Sequence, residues 1–284
     1  MDKKKALYAH ISLIIVSAVW GSSFIVGKDI VASINPYAFV GHRMFIAGLL
    51  LLAVLLFIKK KVLFGWKKGI LLGFFIGSAL ITQAVGITTT TASNSGFITG
   101  MFVVFVPAFS YFLFKRKSHW IKYVAVAINL LGLWFLTGGL KDFNRGDAFT
   151  VICALFVALH TLFVDKFSKE EGVDPLVLTA QQLLIAGLMG YAVAFFFGQP
   201  FISGTAKTFW QIGFMIIFPT LLAFAVQLKS QKYIPTVRAS LIIALQPVFA
   251  ALAAWTLGGE TFVGVKAFGG LLIVAGMVVS ELKH

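Results

Sequence analysis

The chain has 284 residues, of which 59% are apolar and 12% charged, with a mean hydropathy of +0.95. That balance excludes a soluble globule and places the chain in a lipid bilayer. Its net charge of +14 would suit a polyanion only if the cations shared one face; they are sorted among loops instead, so the charge reads as topology and argues against a nucleic-acid partner.

A membrane span needs about 20 mostly apolar residues, and ten such windows follow one another with short connections. The first covers 7–27 after a basic start. It is too long for a signal peptide and has no clear small-x-small cleavage site, so it is expected to remain as a helix. Trp20, Phe24 and Lys28 at i, i+4 and i+8 put an indole, a phenyl ring and a cation on one stripe, suited to stacking a substrate. Interfacial anchoring is the alternative for Trp20 and Lys28.

The second window, 36–58, carries Arg43 seven residues in, roughly 10 Å below the surface at 1.5 Å per residue. An intramembrane cation faces a cavity or a partner, so Arg43 is read either as a carboxylate-binding group or as the partner of an acid such as Glu260. The third window, 68–88, has a Gly69, Gly73, Gly77 ladder for close packing, and Gln83. The fourth, 93–114, has Gly96, Gly100 and a mid-helix Pro107; the fifth, 120–138, has Asn129.

The sixth window, 147–166, holds Cys153, alone and therefore unable to form an internal disulfide or a Cys-based metal site, and His160. The seventh, 175–197, holds Gln181 and Gln182, the eighth, 208–228, holds Gln227, and the ninth, 236–257, holds Gln246 and Pro247. The tenth runs over 263–282. Each deep polar residue can line a cavity or bond between helices. Pro107 and Pro247 remove a backbone hydrogen bond and are read as paired gating hinges. All ten acidic residues fall in loops or at helix ends.

The two halves resemble each other: Pro36, Arg43 and Ile46-Ala47-Gly48 recur as Pro175, Gln182 and Ile185-Ala186-Gly187. With five spans per copy, the second enters the membrane upside down. Lys122 and Lys266, each ten residues before a matched glycine, Gly132 or Gly276, then lie on opposite sides. The expected fold is an all-α integral membrane protein of ten transmembrane helices arranged as two inverted five-helix repeats, residues 1–140 and 141–284. Inverted repeats are the recurring architecture of secondary transporters. With both termini cytoplasmic, Lys28, Lys141, Arg145, Lys207 and Lys266 lie outside, Arg43 lies within a span, and every other Lys and Arg lies inside, as the positive-inside rule requires.

Trp20-Gly21-Ser22-Ser23-Phe24 with Lys28, Pro36 with Arg43, Ala92-Ser93-Asn94-Ser95-Gly96-Phe97 leading to Pro107, and Gln246-Pro247-Val248-Phe249-Ala250 leading to Leu257-Gly258-Gly259-Glu260 resemble the ten-helix EamA branch of the drug/metabolite transporter superfamily. The likeness covers essentially the whole chain. One departure is Phe114-Lys115-Arg116-Lys117, where the family often has a Glu matching Glu260. The resemblance implies a secondary transporter of a bacterial inner membrane, exporting small metabolites by alternating access, with amino acids or related compounds the expected substrates. The substrate-binding residues are then Trp20, Ser22, Phe24, Arg43, Gln83, Asn94, His160, Gln182 and Gln246.

The related small multidrug pumps use a helix-one Glu that this chain lacks, which argues against obligate proton antiport of lipophilic cations. Sugar-phosphate or nucleotide-sugar exchange, with phosphate drawn by Lys229, Lys232 and Arg238, and drug efflux are the alternatives within transport. A non-transport membrane protein, or an intramembrane protease built on Ser95-Gly96, Gly100 and His160, lies outside it. No metalloprotease, P-loop or dinucleotide-binding motif is present, so no enzyme, cofactor or metal is expected. A monomer holding both repeats suffices, with a homodimer the other option.

Overall fold

A computed structural model describes residues 3–116, 119–137, 144–200, 204–257, 259 and 261–281. The expected boundary between residues 140 and 141, and Glu260, Lys117, Lys141 and Asp142, lie outside these residues.

The described chain is helical and membrane-spanning. Among the described residues, eight helices are long and apolar enough to cross a membrane, and two shorter apolar helices complete ten spans. Apolar side chains such as Phe57 and Phe196 stand more than 80% exposed on the outside of the bundle. Such a surface is stable only against lipid.

Spans one to three are α1 (Lys3–Val31), α2 (Pro36–Phe57) and α3 (Trp66–Thr89). The fourth is broken into α4 (Ala92–Gly100) and α5 (Phe102–Phe114), and the fifth is α6 (Trp120–Thr137). The sixth and seventh are α7 (Arg145–Ser168) and α8 (Pro175–Phe196). The eighth is α9 (Ala206–Ile216), a π-helical turn (Ile217–Leu222) and α10 (Ala223–Gln231). The ninth is α11 (Thr236–Ile243) and α12 (Gln246–Thr256), and the tenth is α13 (Gly264–Glu281).

The helix starts follow the sequence. Asn35 caps α2 by accepting from the N–H groups of Tyr37 and Ala38, ahead of Pro36 at the first helical position. Asp174 does the same for α8, ahead of Pro175. Burial alone would raise the Asp174 carboxyl, but Lys60 and the N–H groups of Leu176 and Val177 outweigh it and hold it below the usual carboxylate range. At α7, Asn144 and Asp147 form a capping box, and Asp147 also accepts from Thr90 Oγ1 at 2.6 Å.

Packing pairs corresponding spans of the two halves. The second span of each repeat packs on the other, α2 on α8, and the fifth on the fifth, α6 on α13. The contact of α3 with α7 is answered by that of α1 with α10, and α4 and α5 against α7 by α11 and α12 against α1. The glycine ladders lie in helix seams, including that of α3 with α8. Gly69, Gly73 and Gly77 face Gln181, Ile185 and Met189 on α8, and Gly132 and Gly276 lie between α6 and α13. Gly187 and Gly190 meet the α2 backbone at Phe45 and Gly41, where an added Cβ would lie 2.4 and 2.6 Å from a backbone nitrogen.

Among the described residues three spans are interrupted. α11 gives way to α12 at Ala244 and Leu245, just ahead of Pro247, which cannot donate back to Ile243. α4 gives way to α5 at Met101, with Pro107 inside α5. The third interruption, the π turn around Pro219, has no counterpart in the sequence expectations. There the Thr220 hydroxyl donates to Met215 O at 2.6 Å, taking an acceptor that the proline nitrogen cannot serve.

Candidate functional site

A central cavity of about 850 Å³, counting its open mouth, lies between the repeats. Its lining comes from α1, α2 and α3 of the first repeat and α7, α9 and α10 of the second, with Thr99 of α4, Ile243 of α11 and Gln246 of α12 between them. On α1 and α2 the lining residues, Trp20 to Gly27 and Phe39 to Arg43, fall in the half nearer the connection at 32–35. Towards the other end Leu72, Val164, Phe167, Leu178 and Leu228 pack into one apolar cluster.

Among the described lining residues Arg43 is the single Lys or Arg, and no Asp or Glu joins it. It is 6% exposed. Its Nε donates to Thr220 Oγ1 at 2.6 Å and its Nη2 to Pro219 O at 3.2 Å. The Trp20 indole reaches the same carbonyl, donating from Nε1 to Pro219 O at 2.7 Å, while its ring tilts against Phe224 at 5.2 Å. The π turn is therefore held from the first repeat by a cation and an indole. A proline in an apolar run, followed by a threonine, was the available sequence signal for it.

The other described polar lining groups are amides, hydroxyls, an indole and an imidazole. Gln83 Nε2 donates to Thr99 Oγ1 at 3.2 Å. His160 Nε2 donates to Gln182 Oε1 at 2.7 Å, and its ring meets Phe224 edge-on. Gln227 is buried and its Oε1 has no hydrogen-bond partner among the described residues. Phe24, Phe39 and Ile76 supply apolar wall.

Of the residues expected to bind substrate, Trp20, Phe24, Arg43, Gln83, His160 and Gln246 line this cavity, and Ser22, Asn94 and Gln182 do not. Ser22 donates back to Ala18 O and Val19 O within its own helix, the usual recourse of a helical serine. Asn94 sits in the first turn of α4, where its N–H meets the Thr91 hydroxyl. Gln182 stands one layer behind the wall and orients His160. Arg43 pairs with the π turn among the described residues; Glu260, offered as its partner, lies outside them.

Lys28 closes the end of α3, its Nζ donating to Ile87 O at 2.7 Å and Thr90 O at 2.5 Å. Asn129 bonds Ala125 O, and Gln181 bonds Val62 O and Phe64 O, which pins the connection between α2 and α3. Pro107 is not among the cavity residues, and Pro247 lies one residue beyond Gln246. Ser95 is buried with an unbonded hydroxyl, while His160 is engaged by Gln182, so the two are not paired. Among the described residues no group of His, Cys, Asp and Glu could hold a metal.

A sequence-family profile described as the EamA-like transporter family matches the chain twice, over 7–138 and 144–281. An uncharacterized transporter of Archaeoglobus fulgidus is 31% identical over 98% of this chain and 87% of that protein. An S-adenosylmethionine/S-adenosylhomocysteine transporter of Chlamydia muridarum is 23% identical over 95% and 89%. A solved crystal structure superposes with a TM-score of 0.79 at 18% identity, covering 97% of this chain and 96% of the other.

Proposed function

Because the chain belongs to the EamA-like transporter family, we propose that it exports amino acids or closely related zwitterions across a bacterial inner membrane by alternating access. The observation that carries this reading is the lining of the central cavity, which among the described residues has one buried guanidinium, no carboxylate, an unbonded glutamine oxygen and aromatic walls. Arg43 suits a carboxylate through its planar donor fork. Gln227 Oε1 can accept from an amino group, and Trp20, Phe24 and Phe224 can cover an apolar side chain. The chlamydial relative is named for two amino-acid derivatives, which agrees with this class. A sugar phosphate, with two charges on one group, is served less well by a single cation.

Both termini are placed in the cytoplasm by the positive-inside rule. The cavity half nearer Lys28 then faces outward, and the apolar cluster at Leu72 and Leu228 is the closed inner gate. The two repeats, 1–140 and 141–284, exchange conformations about the site, and one chain is the transporting unit, with substrate and lipid its only required partners. Efflux across a panel of amino acids, amines and nucleotides should show selective movement of an amino acid, lost in Trp20→Ala and Arg43→Gln. Equal movement of amines lacking a carboxylate would refute the substrate class.

Pro107 and Pro247 serve as hinges in this reading, each free of one backbone hydrogen bond beside a broken span. A Pro107→Ala/Pro247→Ala protein is expected to keep substrate affinity within about threefold and to lose most of its turnover. Unchanged turnover would remove the hinges.

A further inference from the structure

A second cavity, of about 710 Å³ with its open mouth, lies at the opposite end of the bundle from Lys28. It is framed by the C-terminus of α5, the approach to α6, the end of α7 and the start of α11, and shares no lining residue with the central cavity. Arg116, His119, Lys122, Lys169 and Arg238 line it, with Asp165 the single carboxylate among the described lining residues. Asp165 is 1% exposed and bonds both Arg116 Nη1, at 3.1 Å, and Lys169 Nζ. One acid is thus set among four Lys and Arg side chains.

The backbone adds to this field. Thr236, Val237 and Arg238, the first three residues of α11, all line the cavity, and α11 begins at Pro235 without a side-chain cap. By contrast α8, which starts at the same end, is closed by the Asp174 carboxylate. A helix start carries about half a positive charge and favours an anion. The buried Ser110 hydroxyl also lines the cavity.

We propose that this second cavity binds a phosphate group, presented by an anionic lipid headgroup or by a soluble phosphorylated compound. Several cations, a hydroxyl and a helix start converge there, and a tetrahedral dianion or diester has enough oxygens to meet all of them. The proposal does not depend on what the central cavity carries.

The test uses the full chain with two probes. Inorganic phosphate is titrated onto detergent-purified protein at ionic strength held constant with chloride, reading the thermal unfolding midpoint. In parallel, phosphatidylglycerol retention is measured against phosphatidylcholine after reconstitution in mixed vesicles. Lys122→Gln/Arg238→Gln should weaken the response at least ~10-fold, about one charge-assisted contact. Lys229→Gln/Lys232→Gln removes the same charge at the same end, outside the cavity, and should respond as wild type. Since Arg238 is buried, Lys122→Gln/Lys169→Gln repeats the test with that side chain in place.

A response to inorganic phosphate assigns the site to soluble compounds. Selective retention of phosphatidylglycerol without one assigns it to lipid. If wild type and both cavity variants behave alike with both probes, or the outside variant loses as much, the proposal is wrong.

Discussion

Arg43→Gln is expected to cut amino-acid flux about 100-fold while leaving a folded, inserted protein. A guanidinium meeting a carboxylate in a buried site contributes about 3 kcal/mol, and each 1.4 kcal/mol is a factor of ten. Glutamine is smaller but keeps some hydrogen bonding, and the second repeat already carries Gln182 at the matching position, buried and bonded to His160. The bundle therefore accommodates an amide there.

Stability falls less than flux, because only the bonds to Thr220 Oγ1 and Pro219 O are lost. Arg43→Lys should recover little, since an ammonium cannot span both acceptors and a carboxylate. Thr220→Val is the companion variant. It removes an Arg43 contact but keeps the charge, so substrate affinity should survive while the π turn loosens. The assay compares each amino acid with its decarboxylated amine, and the preference for the acid should vanish in Arg43→Gln. A variant that transports normally and still prefers the acid would exclude Arg43 as the carboxylate site.

Gly187→Val is expected to destabilise the fold by about 3 kcal/mol or more, the upper range for overpacking. At this seam α2 and α8 approach so closely that the first added carbon would lie 2.4 Å from Phe45 N and 2.6 Å from Phe45 Cα. The obstacle is backbone rather than a swinging side chain, so the helices must part, and Gly48 and Gly190 in the same seam would lose their contacts too. Gly213→Val is the control, because a Cβ at Gly213 meets nothing within 4 Å. The unfolding midpoints of the purified variants decide it: Gly187→Val should fall well below wild type, with Gly213→Val close to it. Equal midpoints would mean the seam relaxes, contrary to the packing described.

The ten spans and the deep polar residues were legible in the sequence for one physical reason. Polar groups in apolar runs are costly in lipid and must face a cavity or a partner, which drew attention to Arg43, Gln83, His160 and Gln246. The choice between cavity and partner was not legible. These helices are apolar nearly all round, so periodicity does not say which face meets the cavity. Gln182 thus turned out to support His160 from behind, Asn129 and Gln181 to bond backbone carbonyls, and Ser22 to bond within its own helix. The π turn at Pro219 was hidden for a different reason: no proline stands in the corresponding stretch 78–82 of the first half, so there is no paired signal.

The measurement closest to the central claim is solute counterflow in sealed vesicles containing only this protein. Vesicles loaded with an unlabelled amino acid should take up the labelled one transiently above equilibrium, as a single alternating site requires, and Arg43→Gln should lose the overshoot. Labelled amino acid that equilibrates without overshoot, or no amino-acid movement in either direction from correctly inserted protein, would contradict the account.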